Sequence, residues 1–147
     1  MDEAAARAAF ETALATQKRG FGTFFLARFR GFEITYPDDA CVVAFSVRED
    51  MLNPQGSLHG GLAAVALDVS MGHLIHHATG RAGLTLEMKV SYLRPAMPGP
   101  LQATGRFLKR GRSISAMESR MTGPDGKLLS MATATWKMPE PAATGDA

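Results

Sequence analysis

The chain has one cysteine, Cys41, among its 147 residues. A single thiol makes neither an intrachain disulfide nor a Cys-x-x-Cys site, and it suits a reducing compartment, so a cytoplasmic location is expected. Long hydrophobic runs are missing as well: no apolar stretch reaches the roughly 20 residues that a membrane-spanning helix needs. Met1-Asp2-Glu3 is acidic where a signal peptide carries basic residues. Strong net charge is absent, since 16 Lys and Arg against 14 Asp and Glu leave a formal +2. That balance argues against nucleic acid as a partner, although local basic clusters can still meet a phosphorylated ligand. Several signatures of chemistry are lacking too. There is no Gly-x-Ser-x-Gly elbow, no His-Glu-x-x-His, no Walker A loop and no Gly-x-Gly-x-x-Gly. Their absence disfavours a serine nucleophile, a helix-borne zinc site, nucleotide hydrolysis and Rossmann-type binding.

What is present is an ordinary globular composition, 46% hydrophobic and 20% charged, long enough for one domain with a real core. Residues 53–77 stand out. A polar, glycine-containing loop, Asn53-Pro-Gln-Gly-Ser-Leu-His59-Gly60-Gly61, runs straight into an apolar segment from about Gly60 to His77. That segment is greasy on nearly every side and too short to cross a bilayer, which predicts a buried core helix.

The flanking sequence supplies the rest of the architecture. Residues 3–18 read as a helix, with Phe10 and Leu14 one turn apart, ended by Gly20 and Gly22. Phe32, Ile34 and Tyr36 alternate at strand period, and a β-branched strand covers Cys41 to Val47. After the buried helix every signal is strand: 84–93, 101–110, 113–122 and 127–138, with Gly123-Pro-Asp-Gly126 as a hairpin turn. In the first of these, strict alternation puts Leu84, Leu86, Met88, Val90 and Tyr92 on one face and Thr85, Glu87, Lys89 and Ser91 on the other. One central helix with strands before and after it predicts an α+β layer fold, an antiparallel sheet wrapped round that helix. The expected organisation is an N-terminal helix and linker over 1–22, one domain over 23–138 and a frayed tail over 139–147.

Two features interrupt the greasy helix. Asp68 places a carboxylate in its middle, with no basic residue one turn away to pair with it, so it needs a polar partner or a wet cavity. His59-Gly60-Gly61 sits at its mouth. A helix N-terminus has free N–H groups, and glycine lets a carbonyl approach them closely, as an oxyanion developing in acyl transfer requires. Gly60 and Asp68 are eight residues apart, hence ~12 Å apart along one helix axis. A single thioester carbon cannot lie near both, so if both act they come from two chains. Asn53 before Pro54 commonly starts a turn, and His59 can be structural or a base. His73, His76 and His77 have a spacing open to metal, but in the last turns they read as partners of the helix dipole. No metal is expected. Arg106, Lys109, Arg110 and Arg112 cluster about Gly111, as a solvated turn or a landing place for phosphate.

Asn53-x-x-Gly56-x-x-His59-Gly60-Gly61 followed by Asp68 resembles the hot-dog-fold acyl-CoA thioesterases of the phenylacetate-pathway branch. Leu84 to Pro95 is similar to that family's strand after the helix, which tends to end in an aromatic and a proline. The resemblance covers about Gly31 to Lys137. It implies the hot-dog fold, a homodimer joined edge to edge and often paired into a homotetramer, an acyl-CoA substrate, and hydrolysis without metal or cofactor. Position by position it makes Asp68 the catalytic carboxylate, acting as base or nucleophile, and Gly60 the oxyanion donor. It sets Asn53 and His59 around the thioester and the lytic water, and Thr85 where a hydroxyl helps hold water. Gly61, Thr85, Arg110 and Arg112 are the expected substrate contacts, the arginines through coenzyme A phosphates. A non-catalytic acyl-CoA-binding protein of the same fold is the alternative, and Asp68 argues against it. A hot-dog dehydratase would need a His and a carboxylate flanking the same carbons, and no such pair is apparent.

Overall fold

The computed structural model describes residues 1–140, so the outer part of the expected tail, 141–147, lies outside the described residues. The elements follow in the order α1 (Glu3–Thr16), α2 (Phe25–Arg30), β1 (Glu33–Thr35), β2 (Ala40–Val47), α3 (Gly60–Thr79), β3 (Leu84–Tyr92), β4 (Gly99–Lys109), β5 (Ile114–Thr122) and β6 (Leu128–Lys137). A single 3₁₀ turn, Glu49–Met51, precedes the loop into α3. The six expected strands and the buried helix are all there. Helix α2 was not expected, because Phe25-Leu-Ala-Arg-Phe-Arg is too short to show a period. It ends at Gly31, whose φ of 66° is the left-handed cap that glycine favours. Phe25 and Phe29 of this helix meet Phe10 of α1 edge-on at 5.6 and 5.8 Å.

The strands form one antiparallel sheet in the order β1-β2-β4-β5-β6-β3. Helix α3 lies across it, contacting β2 through β6, and its Leu67, Met71 and Ile75 are fully buried with Val43, Met117 and Met121 of the sheet. Each such side chain contributes roughly 1.5–3 kcal/mol on burial. Helix and sheet approach closely where both carry small residues. A Cβ at Gly105 of β4 would lie 2.7 Å from the Ser70 backbone, so any side chain there would push the helix off the sheet. Beside that contact the Ser70 and Ser119 hydroxyls share a 2.7 Å hydrogen bond, which satisfies two buried polar groups.

Strand β3 departs from strict alternation. Thr85 pairs with Trp136 and Glu87 with the adjacent Thr135, so Leu86 is an extra residue in a β-bulge. Met88 and Val90 pack on the core as alternation requires. Beyond the bulge the phase is reversed. Thr85, expected on the outer face with Glu87, turns to the helix and bonds Asp68, whereas Glu87 accepts from Thr135 on the outer face. Leu86 is left 54% exposed instead of facing inward.

The linker between α1 and α2 folds back over α3. Thr23 N–H donates to the Gly20 carbonyl at 3.2 Å, closing a turn in which Gly22 has the φ of 77° that the third position of a type II turn demands. Gly22 N–H then donates to His73 Nε2 at 2.9 Å. The three histidines therefore diverge: His73 holds Gly22, His76 stacks on Phe21 at 3.8 Å and His77 stacks on Tyr36 at 4.1 Å. Among the described residues no three His, Cys, Asp or Glu side chains gather as a metal site. No helix among them is long and apolar enough to cross a membrane.

Candidate active site

Asp68 lies on the stripe of α3 that faces the start of β3. Its Oδ1 accepts a hydrogen bond from Thr85 Oγ1 at 2.9 Å, and among the described residues no cation pairs with it. Burial pushes its carboxyl above the usual Asp range, and the Thr85 hydrogen bond pulls partly the other way. The carboxylate opens into a cleft of about 610 Å³, a size common for small-molecule sites. Trp136 of β6, Phe21 and Phe24 of the linker, and Val69 and Leu84 give it largely apolar walls. The six-membered ring of Trp136 packs against Gly72: a Cβ on that glycine would come within 2.9 Å of the indole. The helix has glycine there so that the ring can form the wall.

The mouth of α3 is a separate place. Asn53, Gly60, Tyr92 and Arg94 line a second cleft of about 340 Å³ that does not include Asp68. His59 is the N-cap, and its Nδ1 accepts from Gly61 N–H at 3.0 Å. With Nδ1 accepting, a neutral His59 carries its proton on Nε2 and can donate from that side. The His59 carbonyl takes the Leu62 and Ala63 N–H groups at 2.9 and 3.2 Å. Gly60 N–H is thereby the one donor of this first turn left without an acceptor among the described residues. On the other side of Gly60, Tyr92 Oη donates to its carbonyl at 2.8 Å, and a Cβ on Gly60 would sit 3.2 Å from the Tyr92 ring.

Asn53 organises its own loop. Its Oδ1 accepts from Gln55 and Ser57 N–H at 2.9 and 3.3 Å, and its Nδ2 donates to Ser57 Oγ at 3.1 Å. One amide N–H remains for another partner. Arg110 is anchored at the opposite end of the helix, donating to the Ala78 carbonyl at 3.2 Å. Arg112 is exposed beside it, and neither arginine lines either cleft. Of the residues that line the two clefts, sequence reasoning named Asp68, Thr85, Asn53 and Gly60, but not Phe21, Trp136 or Tyr92, while His59 and Gly61 stand at the mouth of the helix and line neither. Tyr92 had one signal, the aromatic residue at the strand end. Phe21 had none, because its partner helix lies 55 residues further on.

The model of the thioesterase superfamily matches residues 55–130, more than half of the chain, and the stretch holds Gly60, Asp68 and Thr85. Human acyl-coenzyme A thioesterase 13 is 31% identical over 91 residues, a match that spans 60% of this chain and 65% of that enzyme. The crystal structure of a phenylacetic acid degradation-related protein from Ralstonia eutropha JMP134 superposes with a TM-score of 0.73 at 27% identity, over 88% of this chain and 99% of the other. The protein BH2602 of Bacillus halodurans, solved with CoA, has a TM-score of 0.83 over 96% of this chain and 95% of its own, and at 23% identity it shows the shared fold alone. A helix cradled by a six-stranded antiparallel sheet and a match of this extent settle the family. The chain belongs to the thioesterase superfamily and is a thioester hydrolase of the hot-dog fold.

Proposed function

We propose that the protein hydrolyses a small or medium acyl-CoA, aryl groups included, to the free acid and coenzyme A at a site shared by two subunits. The observation that carries this reading is the separation of the two half-sites. A free Gly60 N–H opens onto one cleft and Asp68 onto another, and eight residues of helix put ~12 Å between them. Neither half completes an acyl-transfer site, and a second copy supplies the missing half to each. The edge of the sheet supports such a pairing. Strand β3 is outermost and nine residues long, and it carries exposed Leu84, Leu86 and Tyr92 with Leu93 just beyond. An edge of that length and greasiness is normally covered.

In this reading Gly60 N–H of one protomer donates to the thioester oxygen as it gains charge. Asp68 of the other takes a proton from water as the water oxygen bonds to the carbonyl carbon. The C–S bond then breaks, and the proton on Asp68 passes to the departing thiolate. Thr85 orients the carboxylate, His59 Nε2–H and the spare Asn53 N–H offer donors near the thioester, and Gly61 lets the substrate approach the turn. Arg112, and Arg110 beyond its hold on Ala78, would meet coenzyme A phosphates. The catalytic unit is residues 23–138 with the 1–22 arm attached, needing no metal or cofactor, and we assign it to the cytoplasm. Cys41 takes no part: it is buried, and its thiol is pushed up to about 12.

Subunit mixing tests the shared site. Asp68→Asn and Gly60→Pro homodimers should each be nearly inactive. Unfolded, mixed in equal amounts and refolded together, they form mixed dimers with one intact site, so activity should return to about a quarter of wild type by random assortment. Mixtures that stay as inactive as the parents, with mixed dimers demonstrated by mass spectrometry, would place both groups in a single chain and sink the reading.

A further inference from the structure

The wall of the Asp68 cleft that no catalytic argument uses is the turn Gly20-Phe21-Gly22-Thr23. It is held more firmly than a connecting loop needs to be. Besides its own Thr23-to-Gly20 bond, it is pinned by Gly22 N–H on His73 Nε2 at 2.9 Å. His73 is itself buried, and with Nε2 accepting from Gly22 a neutral ring carries its proton on Nδ1. Phe21 stands at the tip of the turn, face to face with His76 at 3.8 Å and 12°, and edge-on to His73 at 4.9 Å. The cleft floor runs along α3 through Asp68, Val69, Gly72 and His73. Phe21 crosses that line at His76, eight residues from Asp68 and so ~12 Å further along the axis.

We propose that this cleft is the acyl-binding subsite for an apolar acyl group, and that Phe21, fixed by His73 and His76, is its end wall and sets the longest chain accepted. The inference rests on the thioesterase reading above and adds where the acyl group goes and what limits it. Trp136 and Phe24 flank the chain, Val69 and Gly72 lie beneath it, and besides the Trp136 indole N–H the polar or ionisable side chains of the lining are Arg19, Asp68, His73 and Thr85. An acyl group attached at Asp68 therefore extends over apolar surface until it meets the Phe21 ring. Phe21 can be changed without emptying the core, because it is 41% exposed.

The test uses straight-chain acyl-CoAs of increasing length and, in parallel, their non-hydrolysable thioether analogues. Binding of the analogues is read from the emission of Trp136, the only tryptophan in the chain. In wild type, kcat/KM and thioether affinity should climb about fourfold per methylene until the chain reaches Phe21, then stop climbing. Phe21→Ala should move that break to longer chains, raising the long-to-short ratio of kcat/KM at least ~10-fold, which is two further buried methylenes. Phe21→Trp should move it to shorter ones. Circular dichroism and gel filtration confirm that each variant keeps the wild-type fold and assembly. If wild type hydrolyses acyl-CoA and all three length profiles superimpose, the end wall is overturned while the hydrolase reading stands. A break that shifts with Phe21 in the thioether titration, with no hydrolysis of any acyl-CoA by wild type, supports the subsite and overturns the proposed substrate. Thioethers that leave Trp136 emission unmoved overturn the subsite.

Discussion

The mouth of α3 and its middle are built on opposite plans. At the mouth, most polar groups are engaged by a neighbour. His59 takes Gly61, Asn53 takes Gln55 and Ser57, and Tyr92 takes the Gly60 carbonyl. What remains on the backbone of this first turn is the Gly60 N–H, beside the spare Asn53 amide N–H and His59 Nε2. Eight residues on, Asp68 has a single neutral partner and a broad apolar cleft in front of it. In the proposed mechanism the first arrangement serves as a preorganised donor, and the second as a base kept ready by incomplete solvation. Acyl transfer needs both, and it needs the donor fixed more than it needs it charged. The contrast also explains why glycine occupies the mouth: the face of Gly60 that a side chain would cover is already covered by Tyr92.

The sharpest way to break this contrast is at Asp68. Asp68→Asn keeps the shape and removes the basicity, so the hydrolysis rate should fall by ~100- to 10,000-fold, the range for a lost general base. Substrate affinity should change little. The stability effect has the opposite sign. The folded-state pKa of Asp68 is raised by burial, so its contribution favours the fold at low pH and is lost as the pH rises through that raised value. At neutral pH the asparagine variant should therefore melt no lower than wild type, and slightly higher where burial dominates. A folded Asp68→Asn protein with wild-type turnover of its best acyl-CoA, or with normal turnover and a lower Tm, would make Asp68 a structural residue.

Gly60 sharpens the other half with a pair of variants. Gly60→Pro removes the free N–H at the first helical position, where proline is tolerated and where His59 already has the extended ψ of 129° that a following proline prefers. Gly60→Ala keeps the N–H and adds only the Cβ that meets Tyr92 at 3.2 Å. The proline variant should lose ~100- to 1,000-fold in kcat, and the alanine variant far less. Equal losses would mean that packing against Tyr92, not the N–H, is what Gly60 supplies. Steady-state kinetics on both folded proteins decide between them.

How much of this was legible follows from how local each signal is. The loop and helix could be read because glycine and a long, largely apolar run act on neighbours in sequence. Asp68 was conspicuous as the one acid in that run. Thr85 was not legible from alternation, which points it outward. The bulge at Leu86 exists only through the register of β3 on β6, and that register is set by residues nearly 50 positions away. Phe21 lay equally out of reach. Its place depends on Gly22 meeting His73, a bond across 51 residues between two segments that each read as ordinary. The pairs that sequence pattern misses here are long-range contacts at the edges of the core, and they are the ones that shape the cleft.

Thr85 carries the smallest of these effects and discriminates most finely. Its hydroxyl donates to Asp68 Oδ1, a bond that stabilises the ionised carboxylate and opposes the effect of burial. Thr85→Val is close in shape and cannot donate. Without the bond Asp68 should hold its proton more tightly, so the acid limb of the kcat/KM profile should move to higher pH. Well above that limb the base is fully ionised in both proteins. What is lost there is orientation, and kcat should drop by about 10-fold or less, since a hydrogen bond to a charged group is worth about 1.5–3 kcal/mol when buried and less at an exposed position such as this one. Thr85→Ser restores the donor and should restore the wild-type limb. A limb that stays in place while kcat falls by ~100-fold would show a different role: the hydroxyl would then be holding the lytic water itself, and Asp68 would owe its readiness to the cleft alone.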